Sequence, residues 1–244
     1  TMPEEGSTSR KNRSWKGPAI STATESKEPE MPSLSISMII GVDFDNTIVS
    51  YDELIYGEAI ERGLVDDEVL KSKKIIRDTI RELPEGEIEW QKIQAAIYGP
   101  QMERATLIED VFDFFILCRE KGVRTYIVSH KTQFANYDTT GTDLRKEALK
   151  WLDRAGFFDA GLTGLSARDV YFESTRVDKI NRIMSLGCTH FIDDLEETFR
   201  EPSFPPDIEK ILFNSHASGD FTARTGGKVF VDWKDIGGYF FDGR

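Results

Sequence analysis

Two aspartates, Asp43 and Asp45, stand at the end of a short apolar run, Ile-Ser-Met-Ile-Ile-Gly-Val over residues 36–42. Ile39, Ile40 and Val42 are β-branched, and turn-forming residues follow, so the run reads as a buried strand. In an open parallel sheet the last residues of a strand reach the crevice at its carboxyl edge, where ligands bind. Carboxylates placed there can hold a cation or move a proton. They can also do no more than cap the next turn, as Asp and Asn often do. This stretch alone leaves both readings open.

Two later stretches end in the same manner. Val123 to Ser129 reads as a strand ending in a hydroxyl, and Thr189 to Ile192 as a strand ending in Asp193-Asp194. A helical stretch between them, Arg176 to Leu186, carries Lys179. In a parallel sheet these ends converge on one edge. Asp43, Asp45, Asp193 and Asp194 would then repel one another unless a cation joined them. Oxygen donors favour a hard cation such as Mg²⁺. Ser129 adds a donor and Lys179 a positive charge, both suited to a phosphoryl group. Together they point to phosphoryl chemistry with a metal. Each has an ordinary reading by itself. Asp194 to Glu197 forms a capping box, Lys179 could be a helix-surface lysine with Arg176 as its rival, and Ser129 could simply end a strand. Their joint placement raises the functional reading.

The elements that must position these residues alternate between strand and helix, which predicts a mostly parallel α/β sheet with helices on both faces. Residues 1–34 are rich in Ser, Thr, Pro, Glu and Lys and read as a disordered tail. The core is expected over 35–49 and 105–244. Between them, 50–104 reads as a small helical insertion, with pieces at Glu58 to Leu64, Glu68 to Arg81 and Glu87 to Tyr98. Thr106 to Glu120 reads as a helix, with Leu107, Val111, Phe114, Phe115 and Cys118 on one stripe. Thr142-Asp143 should cap a helix that runs to Ala155. Asp169 to Phe172, Lys210 to Phe213 and Lys228 to Val231 are further strand candidates. The segment from His130 to Gly141 is long for a loop after a parallel strand, and such loops are often functional.

Composition narrows the class. A formal net charge of -12 on 244 residues counts against duplex nucleic acid and anionic membranes as partners. Cys118 and Cys188 lie in apolar contexts, so neither a disulfide framework nor a Cys-rich zinc site is implied. No apolar run is long enough to span a bilayer, and the N-terminus lacks the apolar core of a signal peptide. A reducing, cytoplasmic setting is expected.

Asp43-Phe44-Asp45-Asn46-Thr47 resembles the DxDxT signature of the haloacid dehalogenase superfamily. Ser129, Lys179 and Asp193-Asp194 match its second, third and fourth motifs in order, and the resemblance runs over about residues 38–213. It implies a Rossmann-like core with 50–104 as a helical cap. It also implies a Mg²⁺-dependent phosphatase acting on a small phosphorylated metabolite, a sugar phosphate or a nucleotide. Asp43 would attack phosphorus and Asp45 would serve as acid, then base. Thr47 would brace their loop, Ser129 would bind a phosphoryl oxygen, and Lys179 would neutralise charge. Mg²⁺ would take the Asp43 carboxylate, the Asp45 carbonyl and Asp194, with Asp193 second. Dehalogenases of the family do not keep an Asp at the position of Asp45, which favours phosphoryl chemistry. His130 and Lys131, following Ser129, are candidate substrate contacts. A phosphotransferase, a phosphatase of nucleic-acid components and a non-catalytic interaction domain are the alternatives.

Overall fold

The computed structural model of the chain describes residues 37–214 and 219–242. The stretch read as a tail lies outside the described residues. In chain order the elements begin with β1 (Ile39–Val42), β2 (Val49–Ser50), α1 (Asp52–Glu61), α2 (Lys73–Arg81) and α3 (Gly86–Tyr98). Next come β3 (Thr106–Leu107), α4 (Val111–Glu120), β4 (Arg124–His130), α5 (Leu144–Arg154), β5 (Val170–Glu173) and α6 (Arg176–Ser185). The chain closes with β6 (His190–Asp193), α7 (Glu196–Arg200), β7 (Glu209–Phe213), α8 (Phe221–Thr225), β8 (Lys228–Phe230) and α9 (Trp233–Phe241).

Six strands form one parallel sheet in the order β5-β4-β1-β6-β7-β8. The chain winds outward from β1 through β4 to β5, then returns to the other side of β1 with β6. That reversal is the switch point at which doubly wound sheets open a crevice. Alternation along the strands builds two apolar layers. Ile40, Val42, Ile127, Ile192 and Ile211 join one cluster, which takes in Phe114 and Phe115 of α4, Trp151 of α5 and Trp233 of α9. Val128, Phe191 and Leu212 join the other, with Ile180 and Ile183 of α6 and Phe221 of α8. The α/β architecture read from the sequence is therefore present, with helices on both faces.

Between β2 and β3 lie α1, α2 and α3, which pack on one another. β2 and β3 pair antiparallel, Val49 with Leu107 and Ser50 with Thr106, and draw the two ends of this stretch together. Several boundaries differ from expectation. The first helix begins at Asp52 rather than at Glu58, and the second at Lys73 rather than at Glu68. Thr106 and Leu107, expected in the first turn of a helix, pair with β2 instead, and Asp110 turns through φ 60° before α4 starts at Val111. Among the described residues no helix is long and apolar enough to cross a membrane.

Candidate active site

Register sets the site. Val42 pairs with Ile127 on one side and Ile192 on the other, so the residues after β1, β4 and β6 emerge together. The Asp43 amide donates to the Ile192 carbonyl at 2.8 Å, which holds Asp43 beside Asp193. Both side chains are buried, as are Ser129 and Lys179. Lys179 reaches them from α6, whose first turn is capped by the Thr175 side chain on the Asp178 amide. Its Nζ donates to Asp43 Oδ1 and to Asp193 Oδ2, each at 2.6 Å. The ammonium also lies 5.2 Å from the Phe191 ring centroid. Gly41 makes room for that ring, because a Cβ there would stand 2.6 Å from Phe191 Cδ2. Arg176, the rival to Lys179, donates to Glu201 instead.

Charge follows the crowding. Burial pushes the Asp43 carboxyl up to about 7; Lys179 opposes this, while Asp193 and Asp45 add to it. Burial, Asp193 and Asp43 raise Asp194 well above the usual carboxylate range. Burial alone would lower Lys179, but Asp193 and Asp43 outweigh it and hold the ammonium protonated. One carboxylate oxygen from each of Asp43, Asp193 and Asp194 lies within 4.8 Å of the others, a spacing that could hold a metal ion. The two motif-four aspartates are not equivalent. Asp193 accepts from Lys179 and from the Leu195 amide at 2.9 Å. The Asp194 carboxylate accepts no hydrogen bond among the described residues. The capping box considered for Asp194 does not form, because the cap of α7 is Leu195, without a side-chain hydrogen bond.

Asp45 is held differently. Tyr51, at the start of α1, donates its hydroxyl to Asp45 Oδ1 at 2.5 Å. Lys131 Nζ lies 3.0 Å from each Asp45 oxygen. Lys131 is buried, and its ammonium is spent on Asp45 and on the faces of Phe44 and Tyr98. Its neighbour His130 is exposed, with Nε2 3.0 Å from the Ser174 carbonyl oxygen. Arg145 braces this turn by donating to the Lys131 carbonyl at 2.9 Å. Thr47 is buried, but its Oγ1 has no hydrogen-bond partner among the described residues. Its backbone carbonyl does the holding, accepting from Trp233 Nε1 at 2.9 Å.

A cavity of about 70 Å³ is lined by Asp43, Asp45, Ser129, Lys179 and Asp194 among others. It shares Asp45 and His130 with a larger cavity of about 350 Å³. The structure thus brings all four motif positions to one edge. It adds two residues that sequence reading passed over as functional groups. One is Tyr51, whose hydroxyl meets Asp45. Lys73, at the first turn of α2, is half-buried: burial would lower its pKa, but Tyr98, Asp194 and Asp45 raise it above the ordinary lysine range. A lysine in a charged helix carries no local signal of such a neighbour. Two other aromatics of this helical stretch, Trp90 and Tyr56, behave structurally. Trp90 is core, and Tyr56 donates to the Asp67 carbonyl.

No protein-family model matches the sequence, and no curated protein matches it. Solved structures do match in fold. A predicted phosphatase from Clostridium acetobutylicum superposes with TM-score 0.56 at 13% identity, over 85% of this chain and 100% of that one. A haloacid dehalogenase-like hydrolase from Streptococcus pneumoniae gives 0.53 at 16% identity, over 84% and 98%. A dehalogenase solved as an intermediate complex gives 0.51 at 8% identity, over 82% and 95%. The chain has the haloacid dehalogenase-like fold. Its neighbours in fold space include both phosphatases and dehalogenases.

Proposed function

We propose that this chain is a Mg²⁺-dependent phosphomonoester hydrolase that works through an aspartyl-phosphate on Asp43. The observation that carries the reading is the pair of acids after β1. Asp43 is buried on a lysine that also binds Asp193, and Asp45 stands where the small cavity meets the larger one. A C–halogen cleavage reaction would have no use for a second acid facing the leaving group. An interaction scaffold would have no use for three buried or half-buried carboxylates with oxygens within 4.8 Å of one another.

The donors fit a hard divalent cation. The Asp194 carboxylate, the Asp43 carboxylate and the Asp45 backbone carbonyl would hold it, while both Asp193 oxygens are already engaged. Such an ion supplies positive charge that lets these carboxylates and an anionic substrate occupy the same small space. Lys179 fixes Asp43 through Oδ1, which leaves Oδ2 to attack phosphorus in line. Ser129 donates to a phosphoryl oxygen, and the Lys179 charge opposes the charge that builds there. Asp45 protonates the leaving oxygen, then takes a proton from the water that hydrolyses the intermediate. Tyr51 and Lys131 hold its carboxylate at the junction of the cavities. Helices α1 to α3 serve as a cap over this edge, delivering Tyr51, Lys73 and Tyr98.

The test is phosphate release from a panel of phosphorylated metabolites and an aryl phosphate, with Mg²⁺ and with EDTA. Wild type should release phosphate only with the metal. Asp43→Asn should lose all measurable turnover while keeping its circular-dichroism spectrum. Near-native turnover by Asp43→Asn would remove Asp43 as nucleophile.

A further inference from the structure

The larger cavity beside Asp45 has walls of a defined chemistry. It measures about 350 Å³, against about 70 Å³ for the cavity around Asp43. A phosphoryl group in the small space therefore directs what it is attached to into the large one, past Asp45. One wall is a single stripe of α3. Glu87, Gln91, Gln94 and Tyr98 follow at helical spacing on one face, while Trp90, Ile93 and Ile97 bury the other. The second wall is the segment after β4, with Thr132 and Asn136. Asn136 Nδ2 donates to Gln91 Oε1 at 3.3 Å and links the two walls.

The cations of this cavity are engaged. Lys131 is bonded to Asp45, and the His130 ring is paired with the Ser174 carbonyl. Glu87 takes Arg81 and Gln91. A second phosphate or a carboxylate on the substrate would meet no unengaged positive group. The Tyr98 ring is engaged too, with Tyr51 packed against it at 4.7 Å and the Lys131 and Lys73 ammoniums 4.9 and 5.8 Å from its centroid. A nucleobase would therefore find carboxamides where it needs an aromatic face. Carboxamides offer both donors and acceptors, which is what a run of hydroxyl groups also offers. A volume near the low end of ligand pockets suits one sugar ring or a short polyol.

We infer that this cavity takes a neutral, polyhydroxylated leaving group of monosaccharide size, which makes the substrates sugar or polyol monophosphates rather than nucleotides or bisphosphates. The inference rests on the phosphatase reading given above. Gln94 and the Asn136 carbonyl oxygen would bind the hydroxyls, with Gln91, held by Glu87 and Asn136, fixing the wall between them; a leaving group without hydroxyls would leave the Gln94 amide unpaired.

The full chain with Mg²⁺ is assayed on hexose 6-phosphates, pentitol 5-phosphates, nucleoside 5′-monophosphates, hexose 1,6-bisphosphates and an aryl phosphate. Hexose and pentitol monophosphates should exceed the nucleotides and bisphosphates in kcat/KM by about tenfold or more, as expected of a site built around hydroxyls. Gln94→Leu and Asn136→Ala should each lower the ratio of sugar to aryl kcat/KM by about three- to tenfold, the value of one hydrogen bond, mainly through KM. Asn136 is exposed on its loop, so its variant keeps the test open if Gln94→Leu melts early. Aryl turnover with nucleotides or bisphosphates preferred, or a ratio unmoved in both variants, overturns the assignment of the cavity and leaves the phosphatase reading standing. No metal-dependent release from any compound, the aryl phosphate included, overturns the phosphatase reading and this inference with it.

Discussion

Asp43 carries a conflict that can be measured apart from turnover. Its carboxyl is pushed up to about 7 by burial, against the ordinary 3.8, despite the Lys179 ammonium at 2.6 Å. A raised carboxylate means that the metal-free fold resists ionisation of Asp43. That cost is absent below pH 3.8, grows as pH rises, and is complete above about 7. Asp43→Asn lacks the ionisation. In EDTA it should therefore melt higher than wild type at pH 8 and close to wild type at pH 4, a difference that thermal unfolding reads directly. An equal melting temperature at pH 8 would mean that Lys179 already compensates Asp43 in full. Asp45 makes a different demand. If it delivers the leaving-group proton, Asp45→Asn should slow alkyl phosphates far more than aryl phosphates, whose leaving oxygen needs little help. General acid catalysis contributes about 10²–10⁴-fold, so the gap between the two substrate classes should approach that size. Equal losses on both classes would assign Asp45 to positioning alone.

Between the residue and the sheet stands a packing relay. Gly41 of β1 pairs with Phe191 of β6, Phe191 lies under the Lys179 ammonium, and Lys179 spans Asp43 and Asp193. Gly41→Ala would place a methyl 2.6 Å and 2.9 Å from two carbons of that ring. Overpacking of this kind costs about 1–3 kcal/mol. Because the displaced ring supports Lys179, kcat should fall further than in a Phe240→Leu variant of equal stability on the opposite face. Urea titrations matched to steady-state rates check this, and equal rates would sever the relay. Elements of this sort were partly legible in the sequence. β1, β4 and β6 announce themselves by β-branched runs that end in polar residues. The start of α5 is written locally, because Asp143 accepts from the Arg145 and Lys146 amides at 3.1 Å. The capping box at Asp194 was equally plausible on local grounds, yet Asp193 takes the Leu195 amide and Asp194 faces the acids. Thr106-Leu107 could not be read as a strand, since its partner β2 lies far back in the chain. Tyr51 and Lys73 escaped for the same reason, as their meaning depends on residues brought close only by folding.

At the scale of the whole molecule, the last third of the chain closes the sheet and also secures the site. The resemblance read from the motifs ended near residue 213, yet α9 returns to the first motif through Trp233, which donates to the Thr47 carbonyl. That helix is tied to the sheet edge by a polar cluster. Glu209 of β7 takes the Tyr239 hydroxyl of α9, the Lys228 ammonium of β8 at 3.0 Å and, at 3.3 Å, the His190 ring of β6. Burial alone would raise Glu209, but Tyr239 and Lys228 hold it below its ordinary 4.5. The sign follows from linkage. A depressed carboxylate adds stability that is present above 4.5 and is lost as pH falls through the folded-state value. Wild type should therefore lose melting temperature in this acid range more steeply than Glu209→Gln, which keeps an acceptor but no titrating charge. Only a minor share of the acid slope should belong to this group, because its side chain is 30% exposed and water screens the pair. Identical acid slopes for the two proteins would show that the Glu209 charge adds no stability to the cluster. A slope that flattens in Glu209→Gln, with Mg²⁺-dependent turnover falling over the same range more steeply in wild type than in the variant, would tie the far edge of the sheet to the loop that carries Asp43 and Asp45.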